Sequence, residues 1–276
     1  MSTALKTWVD GADSQTLPVD DRGLNYGDGL FETLLVRRGQ PRFLEAHLAR
    51  LIAGCEKLGI GFAALPALRA EVAAAAVQAP PLAILKIIVT RGSAVRRGYA
   101  PEGSETARRI LSLFETAPLD PETRQGVDLV AGSIRLAANP SLAGIKHLSR
   151  LENVLASREA RIAGAFDALL FDGAGDVVSG AMSNVFAISG RQLWTPPLGK
   201  AGVAGVMRGV VLRESAALGF ESAERSLDLQ RLLAADEVFI TNARIGVVPV
   251  RRVGEHRFTM NQSALRIARH VEALDA

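Results

Sequence analysis

The chain has 276 residues, enough to bury a large core and to form one large domain or two smaller ones. It is 48% hydrophobic with a net charge of +3, and its arginines are spread along the chain, which argues against nucleic acid as the main partner and allows a small anionic ligand. The N-terminal segment lacks a signal-peptide pattern, no apolar run reaches the roughly 20 residues that span a bilayer, and the single cysteine, Cys55, fits a reducing cytoplasm.

The first half of the chain is predicted to be mixed α/β. The segment LLVRRGQPRF reads as a hairpin with Gly39-Gln40 at its turn. Apolar residues then recur at helical spacing from Leu44 to Leu58, and Gly59 ends the period, which predicts a helix. A second helix is predicted over LPALRAEVAAAAV, followed by the strands LAILKIIVTRG and RRILSLFE.

The stretch 117–123 holds two prolines and no periodicity, so it is predicted to link a small domain, 1–116, to a larger one, 124–276. In the larger domain, a helix is predicted to begin at Ser149, because Ser149 and Glu152 have the spacing of a capping box. Two further helices are predicted over VMRGVVLRESAALG and QSALRIARHVEAL. Strands are predicted in VDLVAGSIRL, DALLFDGAGDVVSG, NVFAISGRQLWT, DEVFIT and GVVPVRRVG.

Lys146 lies just ahead of the predicted helix, in a chain with five lysines and 27 arginines. Arginine covers a surface and binds anions as well as lysine does, but it stays charged and cannot form a Schiff base. On its own, Lys146 reads more simply as a solvated lysine beside a helix start. Lys86, inside the apolar strand AILKIIV, is the rival amine, because it must point to solvent or into a cleft.

Six segments together carry a family resemblance: RGLNYGDGLFET, HLARL, GIKHLSRLENVLA, NVF, GVMRG and TNARIGVVPV. Their order, from about residue 20 to 250, resembles that of the fold-type IV enzymes that use pyridoxal 5′-phosphate (PLP). That class contains branched-chain and D-amino-acid aminotransferases and aminodeoxychorismate lyases. The segments AGIKHL, GVMR and TRGSAVRRGYAPEG are most similar to the lyases.

The resemblance implies an α+β fold, with a small N-terminal α/β domain, a larger C-terminal domain built around a β-barrel-like sheet, and PLP in the cleft between them. It also implies a homodimer, and neither a metal ion nor a membrane is expected. Periodicity and composition alone predict the two mixed halves but neither the dimer nor the cofactor.

The resemblance assigns PLP contacts by motif. Lys146 would form the Schiff base, and a lysine that attacks an aldehyde needs its pKa lowered by neighbouring positive charge or by desolvation. Val206 and Met207 follow Gly205 where a loop enters a predicted helix, so their N–H groups favour an anion. The remaining contacts to the phosphate would come from Arg50, Asn242 and Ala243. By its helical position alone, Arg50 reads as a solvent-facing arginine.

The loop TRGSAVRRGY would bind a substrate with two carboxylates, because guanidinium groups bind carboxylates through paired hydrogen bonds. Its candidate residues are Arg91, Arg97 and Tyr99, and Phe31 in GLFET joins them as a substrate contact. The alternative is a solvated surface loop, and the pattern does not decide which arginine matters most.

Ser179 departs from the transaminases of the class, which have a glutamate at the matching position. That carboxylate keeps the pyridine nitrogen of PLP protonated, whereas a serine hydroxyl is neutral and leaves a weaker electron sink. Ser179 therefore favours elimination over amino transfer.

Three functions remain open from the sequence. The favoured one is the conversion of 4-amino-4-deoxychorismate to 4-aminobenzoate and pyruvate. The second is a branched-chain or D-amino-acid aminotransferase, and the third is a ligand-binding protein without turnover. A barrel aldolase also uses a Schiff-base lysine, but the hairpins of the second half do not alternate strand and helix as that fold requires.

Overall fold

The computed structural model describes residues 3–94, 96 and 98–274, and it divides the chain into two compact units. The first unit runs to Pro118 and includes the later segment Ile145–Ser149, which the sequence-based division had placed in the larger domain. The second unit takes Leu119–Gly144 and continues from Arg150. Of the predicted linker 117–123, the last three residues already belong to a short helix.

A six-stranded antiparallel sheet and three helices form the first unit. The sheet order is β2-β1-β6-β5-β3-β4. The strands are β1 (Lys6–Val9), β2 (Ala12–Asp13), β3 (Gly29–Arg37), β4 (Gln40–Pro41), β5 (Leu82–Thr90) and β6 (Arg108–Glu115); the helices are α1 (Arg22–Tyr26), α2 (Leu44–Leu58) and α3 (Leu65–Val77).

Helix α2 and the hairpin of the first unit form where local sequence signals predict them. Helix α2 has the predicted bounds, and Gly59 ends it in the left-handed conformation at φ 63°, which glycine adopts without strain. The hairpin is confirmed, but its turn is Arg38-Gly39, one residue earlier than predicted. Both turn residues have positive φ, as a two-residue hairpin turn requires.

The second unit contains a curled, mixed nine-stranded sheet with five α-helices. Its order is β12-β11-β10-β13-β14-β7-β8-β9, and β15 pairs with β14. The strands are β7 (Val127–Arg135), β8 (Asp167–Phe171), β9 (Val177–Gly180), β10 (Asn184–Ser189), β11 (Gln192–Thr195), β12 (Glu221–Glu224), β13 (Glu237–Asn242), β14 (Gly246–Val253) and β15 (His256–Arg257); the helices are α4 (Pro121–Gln125), α5 (Leu151–Ile162), α6 (Val206–Glu214), α7 (Leu229–Leu233) and α8 (Gln262–Ala273), with a 3-10 turn at Ala216–Leu218.

The core of this unit is apolar, and the rings of Phe186 and Phe239 stack in it with centroids 4.8 Å apart. The fold class predicted from the sequence, mixed α+β with two parts, is confirmed. Within the described part of the chain, no helix has the length and apolar character needed to cross a bilayer.

The predicted start of helix α5 at Ser149 is wrong. The helix begins at Leu151, its N-cap is Arg150, and no side chain caps it. Glu152 does not reach back to the helix start, because its carboxylate accepts a hydrogen bond from the Ala137 N–H. The hydroxyl of Ser149 lies instead where a side chain on Gly27 would have to go.

Candidate active site

Lys146 lies on an extended segment bound to strand β3 of the first unit. The Phe31 N–H donates to the Lys146 carbonyl at 3.0 Å, and the Leu148 N–H donates to the Gly29 carbonyl at 3.0 Å. These bonds fix the backbone from the carbonyl of Lys146 to the N–H of Leu148. Its Nζ then lies 4.2 Å from the centroid of the Phe31 ring, within the range of a cation–π contact.

The rival amine, Lys86, lies near the same ring. Its Nζ is 5.6 Å from the Phe31 centroid. Strand register places Lys86 opposite Thr33 and Ser112, on the face of the sheet that carries Phe31. The two lysines singled out from the sequence are therefore neighbours, and Lys146 is the closer to the ring.

A buried carboxylate holds Arg50 in the first unit. Glu32 is 1% exposed and faces helix α2, where its Oε1 accepts from Arg50 Nε at 2.8 Å and its Oε2 from Arg50 Nη2 at 2.5 Å. The Oε2 atom also lies 2.6 Å from His47 Nδ1. Arg50, which its helical position alone would send to solvent, is thus anchored in the interior by an ion pair.

These contacts set the charge of both partners. Burial works to raise the pKa of Glu32, but the hydrogen bonds from His47 and Arg50 outweigh it and hold the pKa below its usual value. Burial lowers the pKa of His47, and the positive charges of Arg50 and Lys146 add to that effect. At neutral pH the cluster therefore holds a carboxylate, a guanidinium and a neutral imidazole.

Arg91 makes four hydrogen bonds within the first unit. Its Nε and Nη2 donate to Asp28 at 2.7 and 3.1 Å, and its Nη1 and Nη2 donate to the carbonyls of Gly59 and Leu58 at 2.6 and 2.8 Å. With these donors engaged and the residue 8% exposed, Arg91 braces the end of helix α2. These contacts give Arg91 a structural role, and the part in substrate binding expected for it stays a prediction.

The loop contains two further candidate residues, Tyr99 and Arg97. Tyr99 is exposed; its ring lies 5.4 Å from that of Tyr26, and its carbonyl accepts from Arg22 Nη2 at 2.6 Å. Arg22 also donates to Asp28, so the loop is tied to the strand that carries Phe31. Arg97 lies outside the described residues.

The predicted phosphate-binding turns of the second unit meet at Asn184. Gly205 is the N-cap of helix α6, and no side chain caps the N–H groups that follow it, Val206 and Met207 included. A Cβ on Gly205 would overlap the Asn184 Oδ1, while the Asn184 Nδ2 donates to the Val203 carbonyl at 2.9 Å. This close approach requires glycine at position 205.

The second turn follows strand β13, whose Thr241 pairs with Asn184 on β10. Asn242 shapes the turn, since its Oδ1 accepts from the N–H groups of Arg244 and Ile245 at 2.9 and 3.0 Å. Its Nδ2 donates to the Met182 carbonyl at 3.1 Å. The hydrogen bonds of the Asn242 side chain thus fix the turn that contains Asn242 and Ala243.

Ser179 is buried on strand β9, opposite Leu170 of β8. Near it lies a buried acid that the sequence analysis missed: Asp167, which accepts from Ser183 Oγ at 2.7 Å and from the Ala181 N–H at 3.0 Å. Burial raises the pKa of Asp167 in spite of these bonds. A single acid opening the apolar run DALLF was the sequence signal that could have identified it.

Each unit, taken by itself, holds groups that would suit a phosphorylated pyridine aldehyde. The first unit supplies an amine against an aromatic ring and a partly buried arginine paired with a buried glutamate. The second supplies an uncapped helix start beside a glycine that a side chain could not replace, and such a start attracts phosphate. Within the described ranges, no three histidine, cysteine or acidic side chains group as metal ligands would.

Comparison with known proteins gives three results. A family model, amino-transferase class IV, matches residues 29–253. The chain is 35% identical to an aminodeoxychorismate lyase of Vibrio harveyi, over 88% of this chain and 89% of that protein, and 31% identical to a putative branched-chain-amino-acid aminotransferase of Methanocaldococcus jannaschii, over 88% and 84%. The crystal structure of 4-amino-4-deoxychorismate lyase from Pseudomonas aeruginosa superposes with a TM-score of 0.90 at 43% identity, covering 98% of this chain and 100% of that one.

Proposed function

The chain belongs to the class IV aminotransferase family, and from that membership we propose that it is a PLP-dependent lyase that converts 4-amino-4-deoxychorismate to 4-aminobenzoate and pyruvate. Its similarity to two lyases of that activity, over almost the whole chain, carries the proposal. The neutral Ser179 adds support, because elimination tolerates a weaker electron sink than amino transfer does.

Lys146 is the residue proposed to hold the cofactor covalently. When bound, PLP supplies an electron sink that acidifies the C–H bond beside the substrate's amine. The Nζ of Lys146 would take the proton from that carbon as a general base, and the electron pair left behind would expel the oxygen on the neighbouring carbon. The same amine would return the proton to the enol so released, which becomes pyruvate.

The remaining roles are positional. Arg50, the N–H groups of Val206 and Met207, and the turn at Asn242 and Ala243 would bind the phosphate. Ser179 would donate its hydroxyl hydrogen to the pyridine nitrogen. Arg97 and Tyr99 would meet the substrate carboxylates, and Phe31 would pack against the substrate ring. Aromatisation supplies much of the driving force, so the protein's main task is to orient the C–H bond.

We propose also that the protein is a cytoplasmic homodimer, as the family resemblance implies. Light scattering on the purified protein measures the mass directly. A mass of about twice the 29.3 kDa chain supports the dimer, and the mass of a single chain contradicts it.

The second candidate is an aminotransferase, which the similarity to the Methanocaldococcus jannaschii protein favours. One assay separates the two functions: pyruvate release from aminodeoxychorismate, run beside a panel of D- and L-amino acids with a keto-acid acceptor. Rapid pyruvate release with little amino transfer supports the lyase. Efficient amino transfer without pyruvate release would establish the aminotransferase instead.

A further inference from the structure

Glu32 binds two side chains that reach it from the same helix. Successive residues of a strand point to opposite faces, so Phe31 meets Lys146 on one side of β3 while Glu32 meets helix α2 on the other. Arg50 reaches Glu32 with two parallel N–H bonds, the geometry that fixes a guanidinium most firmly. His47 approaches the same carboxylate from one turn earlier on the helix.

The protonation of His47 follows from its partner. An ionised carboxylate can only accept hydrogen bonds, so the short contact of 2.6 Å requires the proton on His47 Nδ1. The imidazole is neutral, and Nε2 therefore carries a bare lone pair. That atom is buried and has no hydrogen-bond partner among the residues that the structure describes.

An unpaired buried acceptor carries a free-energy penalty. If His47 served only to fill the core, an apolar residue of similar volume would make the fold more stable. The unpaired Nε2 of His47 is tolerated in this structure, and the Nδ1 of His47 contacts the same Glu32 oxygen that Arg50 does. The arrangement therefore indicates that His47 and Arg50 together fix the orientation of the Glu32 carboxylate.

We propose that Glu32 is the positioning residue for the cofactor phosphate: it locks Arg50 in a two-bond fork, and His47, held as the Nδ1–H tautomer, locks Glu32. This inference rests on the proposed function, because only there does Arg50 meet a phosphate. Glu32 itself touches neither cofactor nor substrate and acts through Arg50.

The chain offers a matched control in the same unit. Glu71 accepts from the same two donor atoms of an arginine, Arg109 Nε and Nη2, at distances of 2.8 to 3.1 Å and without a histidine. Glu71→Gln therefore weakens another arginine–glutamate ion pair at a site that has no part in the proposed chemistry.

The first test measures PLP affinity of the apo-protein by equilibrium dialysis, with thermal unfolding of each apo-protein alongside. Glu32→Gln is expected to weaken PLP binding by roughly ten- to a hundredfold, as residues that orient a ligand-binding group from behind do. Glu71→Gln should bind PLP as the wild type does. Equal affinities for wild type and Glu32→Gln would overturn the inference alone; a wild type that does not bind PLP would overturn the proposed function with it.

The second test needs no variant at position 32, which guards against Glu32→Gln failing to fold. Nitrogen-15 NMR of the wild-type apo-protein reports the tautomer of its four histidines, and Gln variants of the other three assign the His47 signals. We expect a neutral ring with the proton on Nδ1 that does not titrate through the neutral range. A proton on Nε2, or an ordinary histidine titration, would overturn the inference.

Discussion

The side chain at position 179 separates this sequence from the transaminases it resembles. Ser179 is buried on β9, so its hydroxyl is shielded from water and can form a directed hydrogen bond. It carries no charge and cannot hold a pyridinium proton as a carboxylate does. Neighbouring Asp167 is committed to the turn that follows β9 and does not replace the missing glutamate.

Ser179→Glu is therefore expected to shift the reaction toward amino transfer. A carboxylate in that position protonates the pyridine nitrogen and strengthens the electron sink. The ratio of pyridoxamine phosphate formed to pyruvate released should rise, measured by chromatography of the cofactor after turnover. Ser104→Glu, at an exposed loop position, is the control. An unchanged ratio in Ser179→Glu would remove the electron-sink argument.

Arg91 and Arg97 belong to the same sequence motif, but their substitution is expected to have different effects. Arg91→Met removes the donors to the Gly59 and Leu58 carbonyls and leaves Asp28 paired with Arg22 alone, so it should lower the free energy of unfolding by roughly 2–4 kcal/mol. Arg97→Met should raise the KM for the substrate and leave stability unchanged, because its proposed partner is a substrate carboxylate. Chemical denaturation and steady-state kinetics on both variants check this, and the reverse pattern would exchange the two assignments.

Among the secondary-structure elements, helix α6 depends most closely on a single neighbour. Its N-terminal N–H groups can bind an anion only while Gly205 stays close to Asn184. Gly205→Ala is expected to push the loop away from Asn184 and to weaken PLP binding. Gly209→Ala, within the same helix and with open space around it, should improve stability slightly and leave PLP binding unchanged. Equal PLP affinity in the two variants would contradict the role given to α6.

The end of helix α2 and the loop that carries Tyr99 share one counter-ion, Asp28. Burial works to raise the pKa of Asp28, but the hydrogen bonds from Arg91 and Arg22 outweigh it, so the pKa lies below its ordinary value. A carboxyl group with a lowered pKa in the folded state stabilises the fold above its unfolded pKa. That contribution is lost as the pH falls through the folded pKa.

Asp28→Asn tests this coupling through pH. The wild type should be more stable than the variant at neutral pH, and the difference should shrink once the pH falls below the ordinary aspartate value of about 3.9. Urea unfolding at several pH values measures it. A difference that is constant down to acidic pH would mean that the Asp28 charge does not hold the two arginines.

For the chain as a whole, the sequence predicted best what depends on local pattern. Helix α2 was predicted at the bounds observed because its apolar residues recur at helical spacing, and helix α3 is rich in alanine, a strong helix former. Strand β6 was also predicted at the bounds observed. The start of helix α5 was mispredicted, because Glu152 bonds to a residue distant in sequence and Ser149 packs against Gly27. A capping pattern carries no information about such competing partners.

The residues of the candidate site also divide into those that the sequence identified and those that it did not. Motif resemblance singled out Lys146, Arg50 and the two phosphate turns. It did not identify Glu32, Asp28 or Asp167, which have important partners far away in the sequence, such as Arg91 for Asp28 and Ala181 for Asp167. Nor could it separate Arg91 from its neighbours, because three arginines in one loop look alike until the structure shows which carbonyls and carboxylates they meet.

The central proposal is that Lys146 holds the cofactor covalently. Borohydride reduction followed by peptide mapping tests this proposal directly. Reduction fixes PLP to the lysine that carries it, and mass spectrometry of the digest locates the added mass. We expect the label on Lys146 and none on Lys86, although both amines lie near the Phe31 ring. A label on Lys86, or no label on a protein that nevertheless releases pyruvate, would contradict the account.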